Sequence, residues 1–147
     1  MKFECINDSF IELNVIGYQY PDETNDKWDS NWLKVNLEIK TSNIKWCSLG
    51  ADPIITTFEL KELITWFKNI LENKMEKHEK IEFTEPNISF EYLDEIDSKI
   101  KKINMKLVPE YGKIYNVELI ITNDQINYCI NDLGYILIKY PERGIIK

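Results

Sequence analysis

The stretch WDSNWLKVNLEIK, Trp28 to Lys40, decides how the rest of the chain is read. From Trp32 it alternates strictly, with Leu33, Val35, Leu37 and Ile39 on one side and Trp32, Lys34, Asn36, Glu38 and Lys40 on the other. Successive side chains of a strand point to opposite faces, so this is a strand with one face buried and one in water. Strands of that kind belong to antiparallel sheets with one face packed on a core. Just ahead of it, Asp29 and Asn31 are suited to hydrogen-bond nearby backbone where a loop turns into a strand. Trp32 falls on the polar side and is expected to stay partly exposed.

Working outward, a polar, turn-rich segment, YPDETNDKWDSN, precedes this strand, and FIELNVI (Phe10 to Ile16) precedes that, with Ile11, Leu13 and Val15 sharing a face. On the other side, SNIKWCS reads as a return strand after a turn at Ser42 and Asn43. TTFELKELITWFKNILENK then switches period: Leu60, Leu63, Ile64, Phe67 and Leu71 follow helical spacing. Thr56 with Glu59 fits a capping box, and Glu59 and Glu62 near the start with Lys68 and Lys74 near the end suit the helix dipole. A charged loop follows Lys74. IEF and ISFEY flank a turn at Glu85-Pro86-Asn87, and KIKKINMKL and IYNVELIIT form a hairpin-like pair parted by Pro109 and Gly112.

The last periodic segment, TNDQINYCINDLGYILIKYP, predicts a second helix carrying Ile126, Cys129, Ile130, Leu133 and Leu137 on one face. Thr122, Asn123 and Asp124 are candidate caps and Pro141 a stop, while Gly134 and the β-branched run after it weaken the last turns. Most links are too short for parallel crossovers. The expected architecture is one α+β domain over residues 1–147: curved, mainly antiparallel β-sheets of about six to eight strands, packed with two α-helices.

Composition narrows the function classes. The chain has 147 residues, 44% hydrophobic and 29% charged, with a net charge of -7 and a pI near 4.8. That is globular composition, and the acidic balance disfavours direct binding of a phosphate backbone and favours a basic partner. Cys5, Cys47 and Cys129 are odd in number and widely spaced, so they read as small buried hydrophobes rather than a disulfide framework or zinc site. MKFECINDSF has no long apolar core, so no signal peptide is expected there, and no run has the length of a membrane span. The expected location is the cytoplasm.

The only histidine, His78, lies in the charged stretch NKMEKHEK, where nothing in the sequence orients it. Serine or cysteine relays would need that imidazole, so a nucleophilic hydrolase is disfavoured. There is no phosphate-binding glycine motif, and no metal, cofactor or catalytic residue is assigned. Carboxylates gather in two places: Asp22, Glu23, Asp26 and Asp29 in one loop, and Glu91, Asp94, Glu95 and Asp97 in another patch. Neither has calcium-loop spacing or a histidine partner, so solvated surface is the simpler reading than a glycosidase pair or a hard-metal site. Lys99, Lys101, Lys102 and Lys106 read as charges guarding an exposed strand edge. Trp28, Trp32, Trp46 and Trp66, with Tyr18 and Tyr20, leave open an alternative function: a small-ligand or carbohydrate-binding β-module with an aromatic platform.

Several pieces in order carry a family resemblance: IGYQYP (Ile16 to Pro21), DSNWLKVNLEI (Asp29 to Ile39), WCS (Trp46 to Ser48), TTFELKELITWF (Thr56 to Phe67), FTEPNISFEY (Phe83 to Tyr92) and KYPER (Lys139 to Arg143). Together they resemble the WapI-type immunity proteins of bacterial polymorphic-toxin systems. The resemblance implies a cytosolic binding protein, not an enzyme, that neutralises a WapA-like toxin whose C-terminal domain attacks RNA, typically tRNA. The implied partner is the basic surface of that toxin domain, with no direct nucleic-acid or membrane contact. The chain itself is expected as a monomer or weak homo-oligomer. An acidic protein suits such a partner, because opposite potentials speed association and penalise wrong partners. Candidate contact residues are Asp22, Glu23 and Asp26 in the first loop and Glu91, Asp94, Glu95 and Asp97 in the second patch.

Overall fold

The computed structural model describes residues 1–48, 50–109 and 112–144. In chain order its elements are β1 (Lys2–Glu4), β2 (Phe10–Tyr18), β3 (Trp32–Lys40), β4 (Lys45–Cys47), β5 (Asp52–Thr56), α1 (Thr57–Leu71), β6 (Lys80–Glu82), β7 (Ile88–Asp97), β8 (Ile100–Leu107), β9 (Tyr115–Thr122) and α2 (Asn123–Lys139). Two antiparallel sheets result, an α+β fold as expected. The first is ordered β1-β2-β3-β4, with β5 sharing the β4 edge of β3; the second is β6-β7-β8-β9.

The Trp32–Lys40 strand sits at the centre of the first sheet. Leu33, Val35, Leu37 and Ile39 are all buried, facing the same way as Ile11 and Leu13 of β2. Its partners divide its other edge: β4 pairs with residues 38–40 and β5 with residues 32–35. The turn at Ser42 and Asn43 is held by Thr41, whose Oγ1 accepts from the Asn43 and Ile44 amides at 3.2 and 2.9 Å. Two short strands, β1 and β5, lack enough alternating residues to stand out in the sequence. Pairing to a neighbour places both: Phe3 opposite Ile11, and Ile55 opposite Leu33.

The capping box is present in α1. Thr56 Oγ1 accepts from the Glu59 amide at 3.2 Å, and Glu59 Oε2 accepts from the Thr56 amide at 2.9 Å. Glu59 is buried, and its second oxygen, Oε1, accepts from the Thr84 amide at 2.7 Å. One carboxylate therefore caps the helix and ties down the turn between β6 and β7. Leu60, Leu63, Phe67 and Ile70 face the core. There Phe67 meets Phe3 of β1 edge-on, and Phe90 of β7 packs against both. In α2, Thr122 caps the first turn through the Gln125 amide, and Ile126, Cys129 and Leu133 are buried. The helix continues through Gly134 to Lys139, because Ile136 and Leu137 still pack against the core.

The lysine-rich strand needs correction. β8 is an interior strand, flanked by β7 and β9, so its lysines guard no edge. Lys101 is buried, and its ammonium donates to Glu95 Oε1 at 2.7 Å and to the Ser98 carbonyl at 3.2 Å. The exposed edge of that sheet at β9 is instead covered by the β1–β2 loop, where the Ile6 amide donates to the Ile120 carbonyl and Asn7 Nδ2 to the Glu118 carbonyl, both at 2.9 Å. That loop joins the two sheets and removes a site for edge pairing.

Candidate functional site

The motif pieces that lie far apart in sequence meet at one end of the first sheet. Asn31 is wholly buried at the start of β3. Its Nδ2 donates to the Lys27 carbonyl at 2.6 Å and the Arg143 carbonyl at 2.8 Å. Its Oδ1 accepts from Thr57 Oγ1 at 2.7 Å and from the Arg143 amide at 2.8 Å. Arg143 in turn uses its guanidinium on backbone: Nε donates to the Ser30 carbonyl, Nη1 to that of Pro21 and Nη2 to that of Tyr20, at 2.9 to 3.0 Å. The guanidinium also stacks on the Tyr18 ring, 3.6 Å from its centroid. IGYQYP, DSNW, TTF and KYPER thus form a clamp. Its polar groups are consumed by backbone, so its work is to fix the loop and the C-terminal segment. Gly144 follows with φ +73, and a Cβ there would meet the Asp26 carbonyl at 3.0 Å.

The clamp positions the first acidic loop. Glu23 Oε1 accepts from the Asn25 and Asp26 amides, at 2.8 and 3.1 Å. These bonds hold the Glu23 carboxyl below its usual range. Asp26 Oδ1 accepts from the Trp28 and Asp29 amides, both at 2.8 Å. Glu23 and Asp26 therefore shape the loop, although both leave a carboxylate oxygen toward solvent. Asp22 and Asp29 are exposed, and their carboxylates take no part in these bonds. At the junction with β3, Asn31 fills the backbone-binding role expected of it, whereas Asp26 rather than Asp29 supplies the carboxylate.

The second patch runs along the far half of β7. Each member has a partner in this chain. Glu91 Oε2 lies 2.7 Å from His78 Nδ1, and Asp94 Oδ1 lies 3.3 Å from Lys77 Nζ. Glu95 holds the buried Lys101, and Asp97 Oδ1 accepts from the Lys99 amide at 2.7 Å. The Lys77 hydrogen bond lowers the Asp94 carboxyl. The histidine does have an orienting partner, and its backbone sits at φ +69. No local pattern marks this contact, because Glu91 reaches His78 only through backbone pairing across 14 residues: the His78 amide donates to the Tyr92 carbonyl at 2.6 Å.

The two acidic surfaces lie at opposite ends of α2. Asn123, its first residue, donates from Nδ2 to the Ser98 carbonyl beside the second patch. At its other end Tyr140 packs edge-on against Tyr18 of the clamp. Seventeen helical residues separate them by about 25 Å. The fold thus does not merge the two patches.

An open cleft of about 260 Å³ lies between the sheets, lined by Val35, Leu37, Trp46, Ile54 and Leu107 with Asp52 at its rim. The aromatic platform does not gather there. Trp28 stacks edge-on against Phe58 and near Trp32, Trp66 is buried against Phe67 and Phe90, and only Trp46 of the four tryptophans lines the cleft. Of the cysteines, Cys129 is buried and Cys5 partly so, but Cys47 is exposed, because β4 is a three-residue edge strand with its Cys47 side in solvent. Among the described residues no group of three or more His, Cys, Asp or Glu side chains could hold a metal ion. Among them, too, no helix is long and apolar enough to cross a membrane.

Comparison with curated proteins and with solved structures finds no match. A family model does match, and it spans the sheets, both helices and the clamp residues up to Pro141, with Arg143 just beyond it. From residue 2 to residue 141, this chain belongs to the immunity protein WapI-like family.

Proposed function

We propose that this chain binds the C-terminal domain of a WapA-like toxin, a nuclease acting on tRNA, and blocks it by occupying its basic surface. An immunity family implies a cognate toxin as partner and points to a binding rather than a catalytic role. The observation that carries the reading is the fate of the motif residues. Tyr18, Asn31, Thr57, Glu59 and Arg143 all spend their polar groups on this chain's own backbone or on one another, Tyr18 through its hydroxyl on the Pro141 carbonyl. They build a shape, and the polar groups left for a partner are surface charges. Contact falls to Asp22, Glu23 and Asp26 and to Glu91, Asp94, Glu95 and Asp97. The exposed pairs among the latter are weak and exchangeable, so a partner's arginine or lysine can take the place of Lys77 on Asp94.

A nuclease needs a cationic cleft to hold RNA, and an acidic surface seated there excludes the substrate while gaining from steering. The test is co-expression with the cognate WapA-like toxin C-terminal domain, to be sought among the genes adjoining this chain's own. Cells making both should grow, and cells making the toxin alone should lose intact tRNA. Growth arrest with the folded chain present would refute the assignment.

A further inference from the structure

We propose that the outward face of α2 is the apolar centre of the toxin-binding surface, and that it takes a protein patch whose own apolar centre is ringed by cations. This rests on the immunity reading above and adds the place of contact. Tyr128, Tyr135 and Ile138 are 56%, 70% and 77% exposed, among the most exposed large hydrophobic side chains of the molecule. With Asn131 they recur at spacings of three, four and three residues, one stripe directly opposite Ile126, Cys129 and Leu133, which face the core. A surface helix that needs only solubility carries polar residues on that face. Tyrosines and an isoleucine in line are instead the residue types that anchor interfaces.

The stripe does not end at the helix. Tyr140 Oη donates to the Ile16 carbonyl at 3.1 Å, which brings the exposed Ile16 of β2 alongside. Tyr135 also forms one wall of a notch of about 230 Å³ shared with Leu13, Asn14, Val15, Lys139 and Tyr140. A notch of that size beside an aromatic residue suits a single side chain of a partner. The helix is about 25 Å long, close to the roughly 30 Å width of a round patch of about 800 Å² per partner in a standard interface.

Charge selects the occupant. Asp124 lies in the first turn of the stripe, Asp132 borders its middle, and the 22–29 loop with Asp22, Glu23, Asp26 and Asp29 adjoins its far end through the clamp; against these acids stands Lys139 in the last turn, whose ammonium lies 5.5 Å from the centroid of the Tyr140 ring. Carboxylates along the rim repel nucleic acid and anionic lipid. They also work against a second copy of this chain. Antiparallel pairing along α2 would set Asp124 of one copy against the acidic loop of the other, and parallel pairing would set like charges side by side. A cationic protein with an apolar patch is complementary on both counts.

The test uses the full chain and the same cognate toxin domain, inactivated so that it can be purified. Tyr135→Ala with Ile138→Gln touches two exposed side chains and should leave the melting curve unchanged. The expected result is binding weakened at least about thirty-fold, with loss of protection in cells. If the double variant melts early, Tyr128→Ala alone takes its place, with the same expectation in direction. A folded variant that binds and protects like the wild type overturns the α2 surface and leaves the immunity role standing. A wild-type chain that neither binds nor protects overturns the role itself and this surface with it. A wild-type chain that sediments as a dimer, and is made monomeric by the double substitution, assigns the face to a second copy and also overturns the proposal.

Discussion

Asn31 and Arg143, 112 residues apart, hold each other by two reciprocal hydrogen bonds, each 2.8 Å long. The side-chain amide of Asn31 copies the pattern of a neighbouring strand: its Nδ2 donates to the Arg143 carbonyl and its Oδ1 accepts from the Arg143 amide. The C-terminal segment is thereby joined to the start of the central strand without any strand being formed there.

Asn31→Ala should therefore destabilise the protein by about 2–4 kcal/mol, because it strands buried donors and acceptors and leaves them with no access to water. Asn31→Asp should cost about as much, since a carboxylate oxygen would replace the donor that faces the Lys27 and Arg143 carbonyls. Urea melts measure both. A loss under about 0.5 kcal/mol in either variant would mean that the clamp adds little to the fold.

How much of this was legible beforehand depends on the range of the interactions. Period-two and helical patterns located β2, β3, α1 and α2, because each buries one face and the pattern records it. The Thr56 and Glu59 capping box was legible for the same local reason. The second role of Glu59, its bond to Thr84, was not, since a contact across 25 residues leaves no local mark. Lys101 misled for a related reason. Its strand became interior only when β7 paired on the side away from β9, and the buried ammonium then drew Glu95 out of the acidic patch and into a structural pair. The acidic residues were visible as types, but their division into loop-shaping and free carboxylates was set by backbone geometry.

The Glu95 and Lys101 pair should respond unequally to removal of its two partners. Lys101→Met keeps the packed stem and removes the buried charge, and should change stability by within about 1 kcal/mol. Glu95→Ala leaves the ammonium with only the Ser98 carbonyl and should cost about 1–3 kcal/mol, below the range for fully buried pairs because Glu95 is half exposed. Denaturant melts of the two variants decide it, and equal losses would contradict the asymmetry.

Cysteine labelling should separate the three thiols. Burial pushes the thiols of Cys5 and Cys129 up to about 12, so neither forms an appreciable thiolate near neutral pH, whereas Cys47 is exposed on β4. A thiol reagent at pH 8 should modify Cys47 quickly and the other two only after unfolding. Mass spectrometry of the labelled chain checks this, and fast labelling of Cys129 would show that α2 opens readily.

Acid should loosen the first loop at a definable point. The Glu23 carboxyl is lowered from 4.5 in the folded protein by the Asn25 and Asp26 amides. A depressed carboxyl favours the folded loop above its ordinary value, and that advantage fades as pH falls through the lower, folded value. Amide resonances of Asn25 and Asp26 should hold steady down to pH 4.5 and shift below it. A midpoint at or above 4.5 would show that those hydrogen bonds do not persist in solution.

Charge reversal in the first loop can now be aimed at contact without damage to the fold. Lysine at Glu23 or Asp26 would remove the acceptors that set the loop, and any loss of binding would be ambiguous. Asp22 is exposed and lies outside those bonds, so Asp22→Lys reverses one charge and leaves the loop intact. If a cationic toxin domain is steered by this loop, the variant should associate several-fold more slowly at low salt, with dissociation nearly unchanged. The difference should shrink as salt is raised, because screening over a Debye length of about 8 Å at physiological ionic strength already removes most longer-range attraction. Stopped-flow association at low and at physiological salt, with the melting curve as control, measures both quantities. Equal association rates for Asp22→Lys and wild type at low salt would place this loop outside the path of the incoming toxin, and the contact would then have to be sought along α2 and the patch beyond it.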